Sequence, residues 1–353
     1  MLKIIHSADI HLGSKMEARL PREKVLERRQ EVRATFGRML EFARKEEVRA
    51  IILAGDVFDS DRPLKKDKEF FYTAVRSFPE IDFLYLRGNH DGGGAYTETP
   101  ENLKTFSDKW QTYSYGEADV TGLEINPGNA ISMYSTLELK HERLNIVTLH
   151  GQIGDRSGAD KVNIKALKNK NIDYLALGHI HSRSENKLDD RGRYAYSGCL
   201  EGRGFDETGE KGFVLLEIDG KINTKFVPFA VRKIEEVCVD ITGAENPYDA
   251  YLKIKPHIGC GKKDMVRVIL KGETDMDGET LGEEVENYLS REYYFVSVKV
   301  HTRRRYDIAR YEGDITLKGE FIRTVLECSE YSDEEKQQII SFGIKALTGG
   351  EVE

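Results

Sequence analysis

The chain has 353 residues, of which 39% are hydrophobic and 32% are charged, and its net charge at neutral pH is −8. Apolar residues recur along the whole chain in numbers that can build a core, which excludes an intrinsically disordered protein. The sequence holds no run of about 20 apolar residues, so a predicted membrane-spanning helix is excluded as well, and the length favours more than one domain.

The distribution of charge bears on the kind of partner that this chain binds. Residues 311–353 carry four basic and ten acidic side chains, so this segment accounts for −6 of the net charge and the rest of the chain for only −2. A nearly neutral body leaves room for a local basic surface. The overall charge therefore neither supports nor excludes nucleic acid as a partner.

The first residues and the cysteines indicate the cellular compartment. The chain opens on the strand-like Leu2-Lys3-Ile4-Ile5, without the long apolar segment of a signal peptide. The cysteines are far apart and form no Cys-x-x-Cys pair: Cys199, Cys238, Cys260 and Cys328. This spacing argues against both a disulfide framework and a thiolate zinc site. We expect a cytoplasmic protein that has no membrane partner.

Five short apolar runs in the first 181 residues end abruptly in side chains that can bind metals. They span residues 2–8, 50–54, 83–86, 144–149 and 172–177, and each has the length and branched content of a buried strand. The polar residues that follow them are Asp9, His11, Asp56, Asn89, His90, Asp91, His150, His179 and His181. Open α/β sheets assemble their sites at the carboxyl ends of strands, so we expect these side chains to meet.

The segments between these runs predict helices, a hairpin and further strands. Residues 23–47, 65–77 and 164–170 show helical spacing of apolar side chains. Residues 120–133 predict a hairpin, with Asn126-Pro127-Gly128 as its turn, and residues 194–231 are rich in strand patterns around a turn at Gly220-Lys221.

The composition changes near Arg232, which predicts a domain boundary. Strand patterns at 237–241, 265–271 and 295–301 alternate with helical patterns at 247–255 and 281–290. We therefore expect a catalytic domain in residues 1–231 and a small α+β domain in residues 232–310. A tail in residues 311–353 contains two predicted helices, 318–328 and 332–347, and Ser332 with Glu335 forms a capping box at the start of the second.

The residues after the five runs form a set of oxygen and nitrogen ligands without a thiolate. Carboxylate, amide and imidazole groups suit Mn²⁺, Zn²⁺ or Fe²⁺ better than Ca²⁺ or an iron–sulfur cluster. The set is larger than one ion needs, and two ions are a recurrent device for in-line attack on phosphate esters. A single histidine after a strand is usually structural, whereas five clusters in order favour a metal centre.

The motifs resemble those of the calcineurin-like metallophosphoesterases in order and spacing. They are Asp9-x-His11, Gly55-Asp56-x-x-Asp59, Gly88-Asn89-His90-Asp91, His150-Gly151 and Gly178-His179-x-His181. Residues 196–205, with 210–213, are similar to a block found in the SbcD-type DNA repair nucleases of that superfamily. The resemblance implies an α/β (α+β) fold: a metallophosphoesterase β-sandwich flanked by helices, with a small α+β capping domain and a C-terminal helical tail.

The metal ligands that this resemblance implies form two sets that share one carboxylate. One set is Asp9, His11 and His181, the other is Asn89, His150 and His179, and Asp56 bridges the two ions. The resemblance also implies that His90 faces the leaving oxygen as an acid or charge stabiliser. Asp91 would orient His90, and the ions would be Mn²⁺.

The function implied is that of a manganese-dependent DNA exonuclease or endonuclease in DNA repair. Its implied partners are DNA, a second copy of the chain in a homodimer, and an SbcC-like coiled-coil ATPase subunit held by the tail. Two alternatives stay open: a phosphoesterase for a small phosphodiester or nucleotide, and a non-catalytic DNA-binding scaffold.

Basic side chains follow the first motif closely. Lys15, Arg19 and Arg22 could contact the phosphate backbone of DNA. A solvated helix face, with glutamates interspersed, explains the same residues equally well.

Overall fold

A computed structural model describes residues 1–16, 20–92, 99–304 and 313–347. The chain divides into two compact units, Met1–Ile234 and Glu235–Glu353. None of the helices in the described ranges has both the length and the apolar character that crossing a bilayer requires.

The first unit contains two six-stranded sheets. Its strands are β1 (Leu2–Ser7), β2 (Ala50–Ala54), β3 (Asp82–Leu86), β4 (Leu103–Thr105), β5 (Gln111–Tyr115), β6 (Ala118–Gly122), β7 (Leu144–His150), β8 (Gln152–Gly154), β9 (Lys161–Asn163), β10 (Tyr174–Gly178), β11 (Ser184–Lys187), β12 (Arg193–Tyr196), β13 (Gly212–Ile218) and β14 (Ile222–Pro228). The first sheet has the order β14-β13-β1-β2-β3-β4 and the second β11-β12-β10-β7-β6-β5, while β8 and β9 form a separate pair. The strands β1 to β4 run parallel to one another, as do β6, β7, β10 and β12.

The two sheets pack face to face, and each buries one of its faces against the other sheet. The shared core includes Ile4, Ile52 and Leu84 from the first sheet, and Val120 and Ile146 from the second. Because each sheet is covered on its other face as well, its central strands are apolar throughout rather than alternating. That is why their sequences read as short continuous apolar runs.

Helices cover the outer faces of this sandwich. They are α1 (Arg22–Lys45), α2 (Lys65–Arg76), α3 (Met133–Thr136) and α4 (Ile164–Leu167). On the first sheet, the Phe42 ring of α1 packs 5.3 Å from Phe213, and Phe71 of α2 packs 5.8 Å from Tyr85. On the second sheet, the core formed with β7 and β10 includes residues of α3 and α4. The expected fold class, an α/β sandwich flanked by helices, is confirmed.

One predicted element of the first unit is wrong. The hairpin expected in residues 120–133 lies earlier, where β5 and β6 pair antiparallel. Asn126-Pro127-Gly128 does form a turn, in which the Asn126 side chain accepts hydrogen bonds from the backbone N–H groups of Gly128 and Asn129. That turn leads into α3 rather than into a second strand. The turn expected at Gly220 is confirmed, because β13 and β14 pair around it.

The second unit contains a three-stranded sheet and four α-helices in its described part. Its further elements are β15 (Ile234–Asp240), α5 (Pro247–Ile254), a 3₁₀ turn (Lys255–His257), β16 (Met265–Lys271), β17 (Glu273–Thr274), α6 (Gly278–Leu289), β18 (Phe295–Val300), β19 (Arg303–Arg304), α7 (Leu317–Glu327) and α8 (Asp333–Leu347). The sheet order is β15-β16-β18, and α5 and α6 contribute to its core. The strands and helices predicted for residues 237–347 are therefore confirmed to within a few residues.

The two tail helices pack on each other. Ile322 of α7 and Ile340 and Ile344 of α8 form a small buried cluster. The predicted capping box is confirmed, since the backbone N–H of Ser332 donates to the Glu335 carboxylate at 2.8 Å. Several apolar side chains of the pair stay exposed: Leu317 at 71%, Phe342 at 49% and Leu347 at 46%.

A buried ion pair ties helix α1 to the loop that follows β12. Arg28 Nη2 donates to Glu201 Oε1 at 3.0 Å, and both side chains are fully buried. The other carboxylate oxygen of Glu201 accepts hydrogen bonds from Thr35 Oγ1 at 2.8 Å and from the backbone N–H of Val231 at 2.7 Å. Glu201 therefore holds together three distant segments of the first unit.

We expect Glu201→Ala to lower the free energy of unfolding of the first unit by about 1–3 kcal/mol, because Arg28 would keep only Glu31 as a carboxylate partner and the Val231 N–H would lose its acceptor. Chemical denaturation of the full chain measures this change. Glu80→Ala is the matched control: its pair with Arg44 is about half exposed and is worth less than about 1 kcal/mol. Equal stability of the two variants would contradict the structural role of Glu201.

Candidate metal centre

The polar side chains predicted to meet do meet, at one edge of the sandwich. Asp9 and His11 follow β1, Asp56 follows β2, and Asn89 and His90 follow β3, all in the first sheet. His150 ends β7 in the second sheet, and His179 and His181 follow β10. Because β1, β2 and β3 are parallel to one another, as are β7 and β10, the carboxyl ends of these strands lie side by side.

The backbone is strained where it presents these side chains. Asp9, His11, Asp56 and His179 have φ values of 51°, 52°, 52° and 98°, a region that residues other than glycine seldom occupy. Such strain concentrates at functional sites, where surrounding contacts hold it in place. Here the carboxylate of Asp9 accepts the backbone N–H of His179 at 3.0 Å, which links the two sheets.

A glycine precedes two of the site segments for a steric reason. A Cβ added to Gly55 would overlap the ring of His150, and Gly55 has a positive φ of 94°. A Cβ added to Gly178 would overlap the carbonyl oxygen of Ala54. The close approach of the two sheets at this edge therefore requires glycine in both motifs.

Three of the side chains form a group that we call the first half-site: Asp9, His11 and His181. One ligand atom from each lies within 4.8 Å of the others. Asp9 and His11 are 1% exposed, and His181 is half-buried. The Nε2 atoms of the two histidines face each other at 3.1 Å.

Four other side chains form the second half-site: Asp56, Asn89, His150 and His179. His150 Nδ1 lies 2.9 Å from the carbonyl oxygen of Ala54, which fixes the ring proton on that nitrogen. His150 Nε2 then faces Asn89 Oδ1 at 3.0 Å and Asp56 Oδ2 at 3.3 Å. Asn89 Oδ1 also lies 3.2 Å from His179 Nδ1.

Both half-sites bring lone pairs together, and this chemistry fits cations. In the first, a carboxylate beside Nδ1 of each histidine favours a proton there and leaves two bare Nε2 atoms 3.1 Å apart. In the second, bare His150 Nε2 faces two oxygen acceptors. Acceptors crowded in this way repel one another unless a proton or a metal ion lies between them. The ligand set therefore suits two divalent cations.

The ionisation of the second half-site reflects this crowding. Burial by itself raises the pKa of Asp56, but the hydrogen bond and charge of His150 outweigh that effect and lower the pKa to about 2. Burial by itself would lower the pKa of His150, yet Asp56 and Asp9 raise it to about 9. Without metal, a proton on His150 thus takes the place of the missing positive charge.

His90 lies beside the two half-sites on an exposed turn. Its backbone N–H donates to Asp56 Oδ1 at 2.9 Å, and its ring centroid is 5.5 Å from that of His11. Asp91, expected to orient the His90 ring, instead directs its carboxylate to the backbone: Oδ1 accepts from Phe58 N at 2.8 Å and Oδ2 from Gly88 N at 2.9 Å. The tightness of the turn explains this difference, because the side chain folds back on its own loop. Asp91 thus holds the turn that carries Asn89 and His90.

Sequence reasoning missed the residues behind the first half-site. Asp59 Oδ1 lies 3.0 Å from His11 Nδ1, and Glu207 Oε1 lies 2.6 Å from His181 Nδ1. Arg203 contacts both of these carboxylates. Asp59 was visible as the second acid of Gly55-Asp56-x-x-Asp59, whereas nothing in the sequence pattern pointed to Glu207.

A basic pocket lies next to the first half-site, and Asp59 lines both. Its volume is about 260 Å³, and its cationic lining residues include Lys15, Arg62 and Lys66. Two carboxylates also line the pocket, and they pair with other residues: Asp59 with Arg203, and Asp67 with Arg33. In the part of the chain that the structure describes, Lys15, Arg62 and Lys66 have no carboxylate partner within 4.0 Å. The pocket thus offers positive charge to an anion beside the metal centre.

Of the three basic residues expected to contact DNA, the structure describes Lys15 and Arg22. Lys15 lines the pocket. Arg22 is exposed at the start of α1 and is not among the residues that line it. Arg19 lies outside the described residues. Arg62 and Lys66 come from a different segment, so the sequence alone did not join them to Lys15.

Comparisons with known proteins agree with this geometry. The family profile described as calcineurin-like phosphoesterase matches residues 2–183. The uncharacterized metallophosphoesterase YhaO of Bacillus subtilis is 28% identical over 300 residues, which cover 77% of this chain and 72% of that protein. The DNA double-strand break repair protein Mre11 of Sulfurisphaera tokodaii is 28% identical and covers 77% of this chain and 74% of its own. Mre11 of Sulfolobus acidocaldarius is 23% identical over a match that covers 96% of this chain and 94% of that protein.

Proposed function

The chain belongs to the calcineurin-like phosphoesterases, metal-dependent hydrolases of phosphoesters, and on that premise we propose that its substrate is DNA. In this proposal the chain is a manganese-dependent exonuclease or endonuclease of the SbcD type that acts in DNA repair. The observation that carries the hydrolytic part is the pair of half-sites, in which carboxylate, amide and imidazole ligand atoms lie close enough together to share two cations.

In this proposal, seven side chains hold two Mn²⁺ ions. The first half-site supplies Asp9, His11 and His181 to one ion, and Asn89, His150 and His179 bind the other. Asp56 would be the ligand that both ions share, since its carboxylate contacts His150 and lies near the charges of Asp9 and His11. When bound, two such ions generate a nucleophile at neutral pH and stabilise charge on the phosphate.

His90 is the residue that we assign to the leaving group. Its ring is exposed beside His11, and Asp56 fixes its backbone, so the imidazole can reach a substrate held at the metal centre. An imidazole exchanges protons near neutral pH. A proton from His90 would neutralise the alkoxide that leaves a DNA phosphodiester. Asp91 serves this step by holding the turn.

The choice of DNA depends on two observations outside the metal centre. The basic pocket places Lys15, Arg62 and Lys66, which have no carboxylate partner among the described residues, next to the first half-site, and their charges could bind DNA phosphates. Two of the relatives described above are named as DNA double-strand break repair proteins. A phosphoesterase for a small phosphodiester or nucleotide is the alternative function.

A substrate panel tests the proposal. We expect purified protein to digest linear duplex DNA in the presence of Mn²⁺, and EDTA to abolish this activity. Bis(p-nitrophenyl) phosphate and cyclic nucleotides serve as small phosphodiesters. Hydrolysis of these small substrates without any digestion of DNA would favour the alternative function. Binding of DNA without cleavage of any substrate would favour a scaffold protein.

Removing the charges of the basic pocket should weaken DNA binding. The triple variant Lys15→Gln, Arg62→Gln, Lys66→Gln takes away up to three cations that can neutralise DNA phosphates. The slope of log K against log salt should therefore become shallower by about 0.9 for each phosphate that is no longer neutralised. Hydrolysis of bis(p-nitrophenyl) phosphate should stay within about twofold, because none of the three residues belongs to a half-site. Titration of labelled duplex DNA at several salt concentrations measures the slope.

Exposed lysines away from the pocket provide the control for that experiment. Lys165→Gln and Lys187→Gln remove charges that pair with Asp155 and Asp190. An equal loss of DNA affinity in this control would show that net charge, and not the pocket, determines binding.

We also propose that the tail binds the coiled coil of an SbcC-like ATPase subunit. The helices α7 and α8 bury a small common cluster and leave Leu317, Phe342 and Leu347 exposed. Amphipathic helices bind partner helices through such apolar anchors.

Two further expectations stay proposals. One is a homodimer of this chain, and the other is a division of roles in which residues 1–231 hydrolyse the substrate, residues 232–310 cap it and residues 311–353 bind the partner.

Charged substitutions in the exposed tail residues test the partner site. We expect Leu317→Glu with Phe342→Glu to lower co-purification with the ATPase encoded by the same organism by at least about tenfold, since each buried apolar anchor is worth about 1.5–3 kcal/mol. Hydrolysis of bis(p-nitrophenyl) phosphate should be unchanged. Ile340→Glu disrupts the buried cluster, so it shows how much co-purification is lost when the helix pair itself unfolds. Unchanged co-purification of the double variant would contradict this assignment.

A further inference from the structure

The two half-sites differ in what stands behind their histidines. In the second half-site, Nδ1 of His150 meets a neutral backbone carbonyl, and Asn89 is exposed. In the first half-site, each histidine has a carboxylate behind it: Asp59 at 3.0 Å from His11 Nδ1 and Glu207 at 2.6 Å from His181 Nδ1. This asymmetry bears on how the two ions are held.

One arginine joins the two carboxylates of the first half-site. Arg203 Nη1 donates to Asp59 Oδ1 at 2.7 Å, and Nη2 donates to Glu207 Oε1 at 2.6 Å. Nε of Arg203 adds a bond to Glu207 Oε1 at 3.0 Å, and its backbone N–H donates to Glu207 Oε2 at 2.7 Å. The rigid fork of a guanidinium is suited to this double contact, which a lysine ammonium cannot reproduce with the same geometry.

Arg203 holds the Asp59 carboxylate that lies next to His11 Nδ1, and the His11 ring by itself is not fixed there. His11 Nδ1 is buried and lies close to Asp59 but has no aligned hydrogen-bond acceptor among the described residues. Asp59 in turn comes from the loop after β2, and Glu207 from the loop after β12. Arg203 therefore joins two loops of different sheets and keeps a carboxylate within reach of each imidazole.

We propose that Arg203 is a positioning residue that prearranges His11 and His181 through Asp59 and Glu207, so that the first half-site binds its metal ion first and more tightly than the second. Groups that orient metal-binding histidines typically change metal affinity by 10–100-fold. The second half-site, backed by a carbonyl and including an exposed amide, takes the later and more exchangeable ion. This inference rests on the two-ion assignment proposed above.

Titration of the metal-free full-length chain with Mn²⁺, by calorimetry and by electron paramagnetic resonance, tests this order. The wild type should bind two ions in two resolved steps. Arg203→Gln should weaken the tight step by about 10–100-fold and leave the weak step unchanged. Arg203→Lys should recover little of this loss, because a single ammonium cannot hold both carboxylates. Glu207→Gln and Asp59→Asn remove one carboxylate each and should weaken the same step.

Two ligand variants identify which half-site gives the tight step. His179→Ala should weaken the weak step further and keep the tight one, whereas His11→Ala should mainly weaken the tight step. Arg191→Gln is the matched control, since this arginine pairs with Asp173 at 2.9 Å outside both half-sites, and it should leave both steps unchanged. Thermal melting of each metal-free variant separates unfolding from local loss of affinity.

The outcomes separate this inference from the proposed function. A wild type that binds only one ion would refute the two-ion assignment itself. Two ions in the wild type, with an unchanged tight step in folded Arg203→Gln and Glu207→Gln, would refute the role of Arg203 alone. A tight step that survives in His11→Ala and vanishes in His179→Ala would reverse the order and also refute it.

Discussion

Replacing His90 by glutamine should lower kcat on duplex DNA by about 10²–10⁴-fold, the range typical of a positioned general acid. Binding of Mn²⁺ and of DNA should stay nearly normal. The expectation follows from the position of His90, whose ring is exposed beside His11 while Asn89, its neighbour, contacts His150 and His179. Glutamine keeps a polar side chain of similar reach but cannot carry the proton.

The leaving group provides the control for this experiment. p-Nitrophenolate departs without protonation, so His90→Gln should lose far less activity on bis(p-nitrophenyl) phosphate than on DNA. Steady-state kinetics on the two substrates measures the difference, with metal content determined for the same samples. Equal losses on both substrates, or loss of one ion, would contradict a proton-donor role for His90.

The second large effect is expected at Asp56, the residue that we propose to bridge the ions. Asp56→Ala should abolish tight binding of both Mn²⁺ ions and lower activity on every substrate by at least about 10³-fold, because metal ions stabilise the transition state by several kcal/mol. His11→Ala, in contrast, should mainly weaken one ion. Metal analysis and kinetics on the same preparations compare the two variants.

A buried aspartate outside the metal centre is the matched control for Asp56. Asp119 is 7% exposed and pairs with Arg143 at 2.7 Å. Asp119→Ala should keep both ions and normal activity. If Asp56→Ala retained one ion at wild-type affinity, the Asp56 carboxylate would be a ligand of the second half-site only. Its contact with His150 at 3.3 Å is compatible with that outcome.

The sequence predicted the core strands and the site because both depend on local patterns. Strands buried on two faces are apolar throughout, and parallel strands bring their carboxyl ends to one edge. Asp9, Asp56 and His150 could therefore be placed together from their positions after apolar runs. The resemblance to the calcineurin-like phosphoesterases then implied the grouping of the histidines that the structure shows, with His11 beside His181 and His150 beside His179.

Contacts between side chains of distant segments could not be predicted in this way. Arg203 reaches Asp59 across 144 positions of the chain, and no periodicity records such a pair. The basic pocket likewise combines Lys15 with Arg62 from the loop after β2 and Lys66 from the start of α2. The misplaced hairpin has a different origin: Asn126-Pro127-Gly128 is a real turn, but turn residues do not specify whether a strand or a helix follows.

The number of Mn²⁺ ions bound by the wild-type chain tests the central claim most directly. Metal-free protein titrated with Mn²⁺ should saturate at two equivalents per chain, and electron paramagnetic resonance should show a spin-coupled pair, as expected for ions about 3.5–4 Å apart. Saturation at one equivalent, or two ions without magnetic coupling, would contradict a two-metal centre built from these half-sites.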